Sequence, residues 1–202
     1  DGWCLPIILS DLFACYAFFK GGSDPDRLPS QPYRDYVEWI LSQDQSATEQ
    51  YWRKTLVGIT SPTPLPTDRS SDGVQLDAGY GMHRLMISAA RTSALQAHAS
   101  KERITVNTLV QGAWALLLSH YSGEEEVLFG TTVSGRSADV PGIETMLGLF
   151  INTLPLRVSV TPDAVPQTWL RGLLQQNAEL RQYEHSSLAQ IQSWSQLPRG
   201  SQ

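Results

Sequence analysis

Basic residues are scarce in this chain. Lys and Arg together number 15 against 20 Asp and Glu in 202 residues, so the formal net charge is -5 at pH 7. A surface that binds phosphates needs clustered Lys and Arg, so this balance argues against nucleic acid as a partner. Long apolar runs are also missing, since none approaches the roughly 18 to 20 residues that a membrane-spanning helix needs. The sequence therefore predicts a soluble globular protein that has neither a nucleic acid nor a membrane as a partner.

Cysteine and histidine are too few and too scattered for a disulfide framework or a metal site. The two cysteines, Cys4 and Cys15, fall in one predicted helix. At the helical rise they lie about 16 Å apart, which is beyond the roughly 7 Å limit for a disulfide. The four histidines show none of the paired spacings of a zinc site. We expect two free, buried thiols and no metal.

The first residues carry no targeting signal. The chain starts at Asp1 without a Met, and neither a basic segment nor a small-residue cleavage site is present. We expect that Asp1 continues from an upstream segment and that the protein is cytoplasmic.

In the first part of the chain, the spacing of apolar residues predicts three helices and one linker. Residues 3–19 are apolar around most of the helical circumference, which predicts a helix buried on most sides. The apolar spacing in residues 33–56 predicts two helices. Ser46 and Glu49 are predicted to form a capping pair at the start of the second helix. Residues 58–82 are rich in Pro, Ser, Thr and Asp, which is typical of a linker or surface loop.

The following segment predicts a strand and two helices. The strand is expected at residues 83–88 and an amphipathic helix at residues 89–101. Thr105 is predicted to cap the next helix, in which apolar residues recur at the i, i+3, i+4, i+7 spacing. We expect this apolar face to be nearly fully buried; it comprises Val106, Leu109, Val110, Ala113, Trp114, Leu117 and Tyr121.

Two strands with a period of two are predicted next, at residues 127–134 and 150–160. In the second strand Asn152 is the one polar residue in an apolar row that includes Phe150 and Leu154. The last predicted helix spans residues 166–182 and begins with a proline. Strands that alternate with helices in this way favour an α/β fold.

Six short motifs follow one another along the chain. They are Asp1-Gly2-Trp3, Tyr33-x-Asp35-Tyr36-x-x-Trp39, Tyr51-Trp52-x-x-x-Leu56, Pro64-Leu65-Pro66-Thr67-Asp68-Arg69, Phe129-Gly130-x-x-x-Ser134-Gly135-Arg136 and Gly148-x-Phe150-Ile151-Asn152-Thr153-x-x-x-Arg157. In this order they resemble the motifs of the condensation domains of nonribosomal peptide synthetases. The chain departs from the family near its end, where Tyr183-Glu184-His185 stands in place of a His-Gln-Asp or Asn-Gln-Asp segment.

The resemblance implies a chloramphenicol-acetyltransferase-like, two-lobed α/β fold that is incomplete at both ends. Residues 1–57 would form the end of the first lobe, residues 58–82 a Pro-rich linker and residues 83–202 part of the second lobe. In the family, Asp-Gly closes a His-His-x-x-x-Asp-Gly motif whose second His is the presumed base. Because the chain starts at Asp1, we expect it to lack the His pair and to be inactive alone.

The resemblance also implies roles for five residues. Asp1 and Gly2 are the remnant of the catalytic motif, and Asp1 would pair with Arg136 as an ion pair between the lobes. A solvated surface position is the alternative for Arg136. Ser134 and Asn152 would line the substrate tunnel, although Asn152 is equally predicted to be a core amide with satisfied hydrogen bonds. From its position alone, His185 is expected at a solvated helix end.

The implied reaction joins two carrier-bound substrates. The amine of an acceptor aminoacyl thioester attacks a donor acyl or peptidyl thioester and forms a peptide bond. No cofactor would bind directly, because both substrates travel on phosphopantetheine arms of the upstream and downstream peptidyl carrier proteins. An adenylation domain would be adjacent. Two alternatives remain open, namely an epimerization domain of the same superfamily and a noncatalytic platform that docks carrier proteins or neighbouring domains.

Overall fold

The computed structural model describes residues 1–23, 31–65 and 81–197. Within these ranges the helices are α1 (Cys4–Phe19), α2 (Tyr33–Ser42), α3 (Gln45–Thr55), α4 (Ala89–Glu102), α5 (Val106–Ser122), α6 (Pro166–Leu180) and α7 (Leu188–Trp194). A 3-10 turn at Arg181–Tyr183 follows α6. The strands β1 (Glu126–Val133) and β2 (Asn152–Ser159) pair with each other. The predicted α/β character is confirmed, whereas α7 was not predicted.

The two strands are antiparallel. The amide of Val160, just after β2, donates to the carbonyl of Glu125, just before β1, at 2.7 Å. Arg157 and Glu126 form an ion pair near the same ends. The predicted apolar face of β2 is buried at Leu154, Leu156 and Val158, although Pro155 on the opposite face is buried as well.

Side-chain caps mark the residues at which α3 and α5 begin. Thr105 caps α5 as predicted, since its hydroxyl accepts a hydrogen bond from the Thr108 amide at 3.0 Å. The predicted cap of α3 is wrong. Asp44 caps this helix by accepting from the amides of Ser46 and Ala47, so Ser46 already lies in the first turn.

Helix α1 is present where it was predicted, but it is not buried on most sides. Cys4 is its buried residue, whereas Leu12 is 57%, Phe13 65% and Phe19 84% exposed. An apolar pattern shows what a helix can bury, but burial also requires packed neighbours. Among the described residues, those neighbours cover mainly the first turn of α1.

Residues 81–88 do not form the predicted strand. They are irregular and exposed, with Met82, Leu85 and Met86 each at least 79% exposed. A strand needs a partner for its backbone hydrogen bonds, and the sheet of the described part of the chain contains only β1 and β2. The segment therefore forms no strand, although its sequence pattern is typical of one.

Helix α5 buries the face opposite to the predicted one. Thr108, Gln111, Gly112, Ala115 and Leu118 are its buried residues. Trp114, which was expected to be nearly fully buried, is 43% exposed, so that prediction is wrong. Close helix packing explains the result, because a Cβ at Gly112 would lie 2.7 Å from Leu170 of α6. The amides of Gln111 and Asn177 also bond each other, at 2.8 and 3.2 Å.

The described residues separate into two compact units. The first contains those in Asp1–Ile59, Gly130–Pro155 and Arg181–Arg199. Its core is a cluster of Tyr36, Val140, Ile143, Met146 and Phe150, and α3 packs against α7.

The second unit contains the described residues in Thr60–Phe129 and Leu156–Leu180. Here α5 packs against both α4 and α6. The division into lobes at residues 58–82 stays a prediction, and residues 66–80 of the predicted linker lie outside the described residues.

Two further sequence expectations concern the cysteines and membrane insertion. The two cysteines form no disulfide with each other, and the predicted burial holds for Cys4, whereas Cys15 is half-buried. In the described ranges, no helix has the length and apolar character needed to span a membrane.

Candidate functional site

The carboxylate of Asp1 is held by the start of α1 and by the loop before β2. Its Oδ1 atom accepts from the Trp3 amide at 3.1 Å, and its Oδ2 atom accepts from the Phe150 amide at 3.2 Å. The Cys4 sulfur lies 3.3 Å from Oδ1 and 3.1 Å from the Gly148 carbonyl oxygen, so its single proton can be donated to either acceptor. The Asp1 side chain is 5% exposed. Its oxygens are therefore used by neighbouring donors, which suits a structural role better than proton transfer.

Arg136 lies beside Asp1 in the same unit. Its Nη2 atom is 3.7 Å from Asp1 Oδ1, and its side chain is also 5% exposed. This separation is longer than the roughly 3 Å of a direct charge-assisted hydrogen bond. The stronger contacts of the guanidinium are to backbone carbonyls, because it donates to Ile143 and, at 3.1 Å from both Nη1 and Nη2, to Met146. The predicted pair thus meets, while its role between lobes stays a prediction.

An aromatic ring completes the surroundings of Arg136. The guanidinium carbon lies 4.0 Å from the centroid of the Phe150 ring, within the range of a cation–π contact. Gly135 allows this approach, since its φ is +68° and a Cβ there would overlap the Phe150 carbonyl. The Nε atom of Arg136 is buried and has no hydrogen-bond partner.

Cys4 is the unpredicted member of this cluster. Its sulfur accepts from the Gly148 amide at 3.4 Å and lies 3.5 Å from Arg136 Nη2. The Gly148 hydrogen bond lowers the pKa of the Cys4 thiol, whereas burial raises it, and the net shift is downward. The positive charge of Arg136 also lowers this pKa. A clue was present in the sequence, because Cys4 lies one helical turn after Asp1.

Gly2 and Ser134 lie at exposed positions. A Cβ at Gly2 would have no neighbour within 4 Å. Ser134 follows the last residue of β1, and its hydroxyl accepts from the Arg136 amide at 3.3 Å. Their predicted contacts with substrate stay predictions.

Asn152 holds the loop that follows α6. Its Nδ2 atom donates to the carbonyls of Glu184 and Ser186 at 2.9 and 2.7 Å, and its Oδ1 atom accepts from the Thr153 amide at 2.9 Å. The indole of Trp52 also holds this loop, because it donates a hydrogen bond to the Ser186 hydroxyl at 2.8 Å. The geometry favours the satisfied-amide alternative for Asn152 over the tunnel alternative.

His185 is not at a solvated helix end. It is half-buried, its Nε2 atom lies 3.2 Å from the Thr48 hydroxyl, and its ring contacts Trp39 edge-to-face at 5.7 Å between centroids. Burial lowers the pKa of His185. Neighbouring Glu184 is buried and accepts from the Ser137 hydroxyl at 2.7 Å. Sequence position alone gave no sign of this packing, which depends on the distant helices α2 and α3.

Metal ligands do not cluster in the described parts of the chain. There, no group of three His, Cys, Asp or Glu residues is placed to hold a metal ion.

Comparison with known proteins identifies the family. The profile of the Condensation domain family matches residues 1–202. A linear gramicidin synthase subunit of Brevibacillus parabrevis is 47% identical over 201 residues, which is 99% of this chain and 4% of that protein. Chondramide synthase cmdD of Chondromyces crocatus is 45% identical over 203 residues, covering 100% of this chain and 5% of that protein. The chain thus spans a small part of each curated relative.

Solved structures share the fold. The X-domain from teicoplanin biosynthesis matches with a TM-score of 0.78 and 26% identity, covering 100% of this chain and 46% of that one. The first condensation domain of the calcium-dependent antibiotic synthetase matches with a TM-score of 0.72 and 18% identity, covering 96% of this chain and 45% of that one. The fold and the family predicted from the six motifs are confirmed, and this chain belongs to the condensation-domain family.

Proposed function

We propose that this chain is part of a condensation domain that forms a peptide bond between two carrier-bound substrates in a nonribosomal peptide synthetase. The family match over residues 1–202 carries the proposal. It is supported by the cluster of Asp1, Cys4 and Arg136, in which residues far apart in the sequence meet at a buried position.

In the proposed reaction the acceptor amine attacks the carbonyl carbon of the donor thioester. A C–N bond forms, the C–S bond breaks, and the proton lost by the amine ends on the released thiol. Because a thioester is already activated, positioning of the two substrates supplies much of the rate. Asp1 and Arg136 act here as positioning residues, since their polar atoms are engaged with the backbone.

The proposed partners follow from the same reaction. The substrates are held on phosphopantetheine arms of two peptidyl carrier proteins, an adenylation domain is adjacent, and the assembly works in the cytoplasm. The names of two similar proteins, a linear gramicidin synthase subunit and a chondramide synthase, support a place for this chain in a synthetase.

A chimera tests the proposed function. The matching segment of a condensation domain in the linear gramicidin synthase of Brevibacillus parabrevis would be replaced by this chain, which is 47% identical to it. With loaded donor and acceptor carriers, we expect a dipeptidyl thioester detectable by mass spectrometry. A correctly folded chimera that makes none, beside an active unaltered domain, would contradict the proposal.

Docking of another protein is the second candidate function. It is favoured by a solved neighbour with a TM-score of 0.78 and 26% identity, which is a complex of the X-domain with OxyB from teicoplanin biosynthesis. The chimera separates the two candidates, because a platform would bind loaded carriers without product formation. The epimerization alternative predicts exchange of the α-proton of a loaded aminoacyl carrier with deuterated water.

A further inference from the structure

The first compact unit contains a cavity that the proposed reaction does not use. It has a volume of about 130 Å³, and its lining includes Tyr36, Trp39, Ser137 and Glu184. This is more space than a single water needs, so the cavity has room for a small organic molecule.

The cavity contains a buried carboxylate that has no counter-ion among the described residues. Glu184 is 9% exposed, and in the described part of the chain the Ser137 hydroxyl is the side-chain group that hydrogen-bonds to its carboxylate. None of the ion pairs formed among the described residues includes Glu184. A buried carboxylate is costly unless it is paired, so this position favours a cation.

His185, which also lines the cavity, does not supply that charge. The Thr48 hydroxyl donates to the Asp44 carbonyl at 2.8 Å, so its oxygen must accept the bond from His185 Nε2. Nε2 therefore carries a proton, and Nδ1 is buried without a partner. A second proton on Nδ1 would create a buried N–H without an acceptor, so the neutral ring is favoured, in agreement with the lowering of its pKa by burial.

The remaining charged groups of the lining leave a net negative charge. Asp139 and Arg181 lie at exposed positions, so their charges are hydrated and oppose each other. Burial raises the pKa of Tyr36 to about 12, so its phenol is neutral. The buried carboxylate of Glu184 thus dominates the interior of the cavity.

Two aromatic side chains contribute to the apolar part of the lining, beside Ala138. The rings of Tyr36 and Trp39 are stacked, with centroids 6.0 Å apart and an interplanar angle of 13°. Aromatic faces attract cations and pack against short carbon chains. We propose that this cavity binds a small primary ammonium ion, with the Glu184 carboxylate as its counter-ion and the Tyr36 and Trp39 rings beside its carbon atoms.

Titration of the whole chain with n-propylammonium chloride tests the proposal. The indole N–H signal of Trp39 would be followed by NMR and assigned with Trp39→Phe. We expect a saturable shift of this signal, with a dissociation constant in the millimolar range. n-Propanol has the same size without the charge, and sodium chloride reproduces the ionic strength, so neither should shift the signal. Equal effects of propanol and propylammonium, or no saturation by ~50 mM, would overturn the site.

Substitutions locate the cation within the cavity. Glu184→Gln removes the charge with little change of shape and should weaken binding about tenfold or more, because a charge-assisted bond is lost. Asp139→Asn removes an exposed charge of the same lining and should have a much smaller effect. Circular dichroism checks the fold of each variant. Unchanged affinity in folded Glu184→Gln would overturn the assignment, and if that variant does not fold, the comparison of propylammonium with propanol decides alone.

Discussion

Among single residues, Arg136 makes contacts that a smaller side chain cannot replace. It donates to the carbonyls of Ile143 and Met146, lies over Phe150 and faces the buried carboxylate of Asp1. We predict that Arg136→Ala lowers the free energy of unfolding by about 3 to 5 kcal/mol, because a buried carboxylate and two carbonyls lose their partner. Urea denaturation measures this change.

Arg34→Ala is the matched control, since Arg34 pairs with Glu38 on the surface and both side chains are at least 66% exposed. This pair should be worth less than about 1 kcal/mol. If both variants unfold at the same urea concentration as the unaltered chain, the structural role of Arg136 is wrong. In a complete domain, a large loss of rate with an unchanged melting temperature would point instead to direct catalysis.

His185 gives the chain a pH-dependent stability. Burial holds its pKa in the folded chain below the ordinary value of 6.5. As the pH falls through 6.5, the unfolded chain therefore binds a proton that the folded chain does not bind. We predict that the free energy of unfolding falls from that pH downwards and levels off below the folded-state pKa. Urea denaturation at several pH values would show this slope.

The variant His185→Gln should lose that contribution to the slope, whereas His83→Gln, at an exposed position, should keep it. Equal slopes in both variants would contradict the prediction.

At the scale of elements, the turn after β1 depends on Gly135. Its φ of +68° is left-handed, and a Cβ there would overlap the Phe150 carbonyl. Gly123 after α5 has a similar φ of +75°, but a Cβ at that position would have no neighbour within 4 Å. Alanine should cost about 1 to 2 kcal/mol at Gly123 from backbone strain alone. At Gly135 we predict a cost at least about 2 kcal/mol larger, because of the additional overlap. Thermal unfolding of the two variants compares them, and equal melting temperatures would contradict the role of Gly135.

Local signals in the sequence predicted the elements better than their buried faces. The cap at Thr105 and the buried even face of β2 depend on nearby residues, and both were predicted correctly. Which face of α5 is buried depends on α6, so the apolar pattern around Trp114 was misleading. At the site, the family resemblance carried by the six motifs predicted the contact between Asp1 and Arg136. The roles of Cys4 and Glu184 and the partners of His185 could not be predicted, because they depend on contacts between residues that are distant in the sequence.

At the scale of the whole molecule, exposed apolar residues on α1 should promote association. Ile8 is 48%, Leu12 57% and Phe19 84% exposed, and such concentrations of apolar side chains mark interaction or aggregation surfaces. We predict that the weight-average mass rises with protein concentration in sedimentation or light-scattering measurements. The double variant Leu12→Lys and Phe19→Lys should reduce this rise, whereas Leu85→Lys, at an exposed site outside α1, should reduce it less. A monomer at all concentrations would contradict the prediction.

The irregular segment at residues 81–88 is a site at which a protease can cut the folded chain. Their side chains are exposed, with Leu85 79% and Met86 82% exposed. A protease can therefore bind this segment in the native state, whereas a cut inside α5 first requires the helix to open. We predict that chymotrypsin cuts at Leu85 or Met86 before it cuts within any helix. The rate of this first cut should be insensitive to urea concentrations below the unfolding transition, because no unfolding precedes it. Mass spectrometry of timed digests identifies the cut, and an earlier cut within α5 would show that the helix opens more readily than the structure indicates.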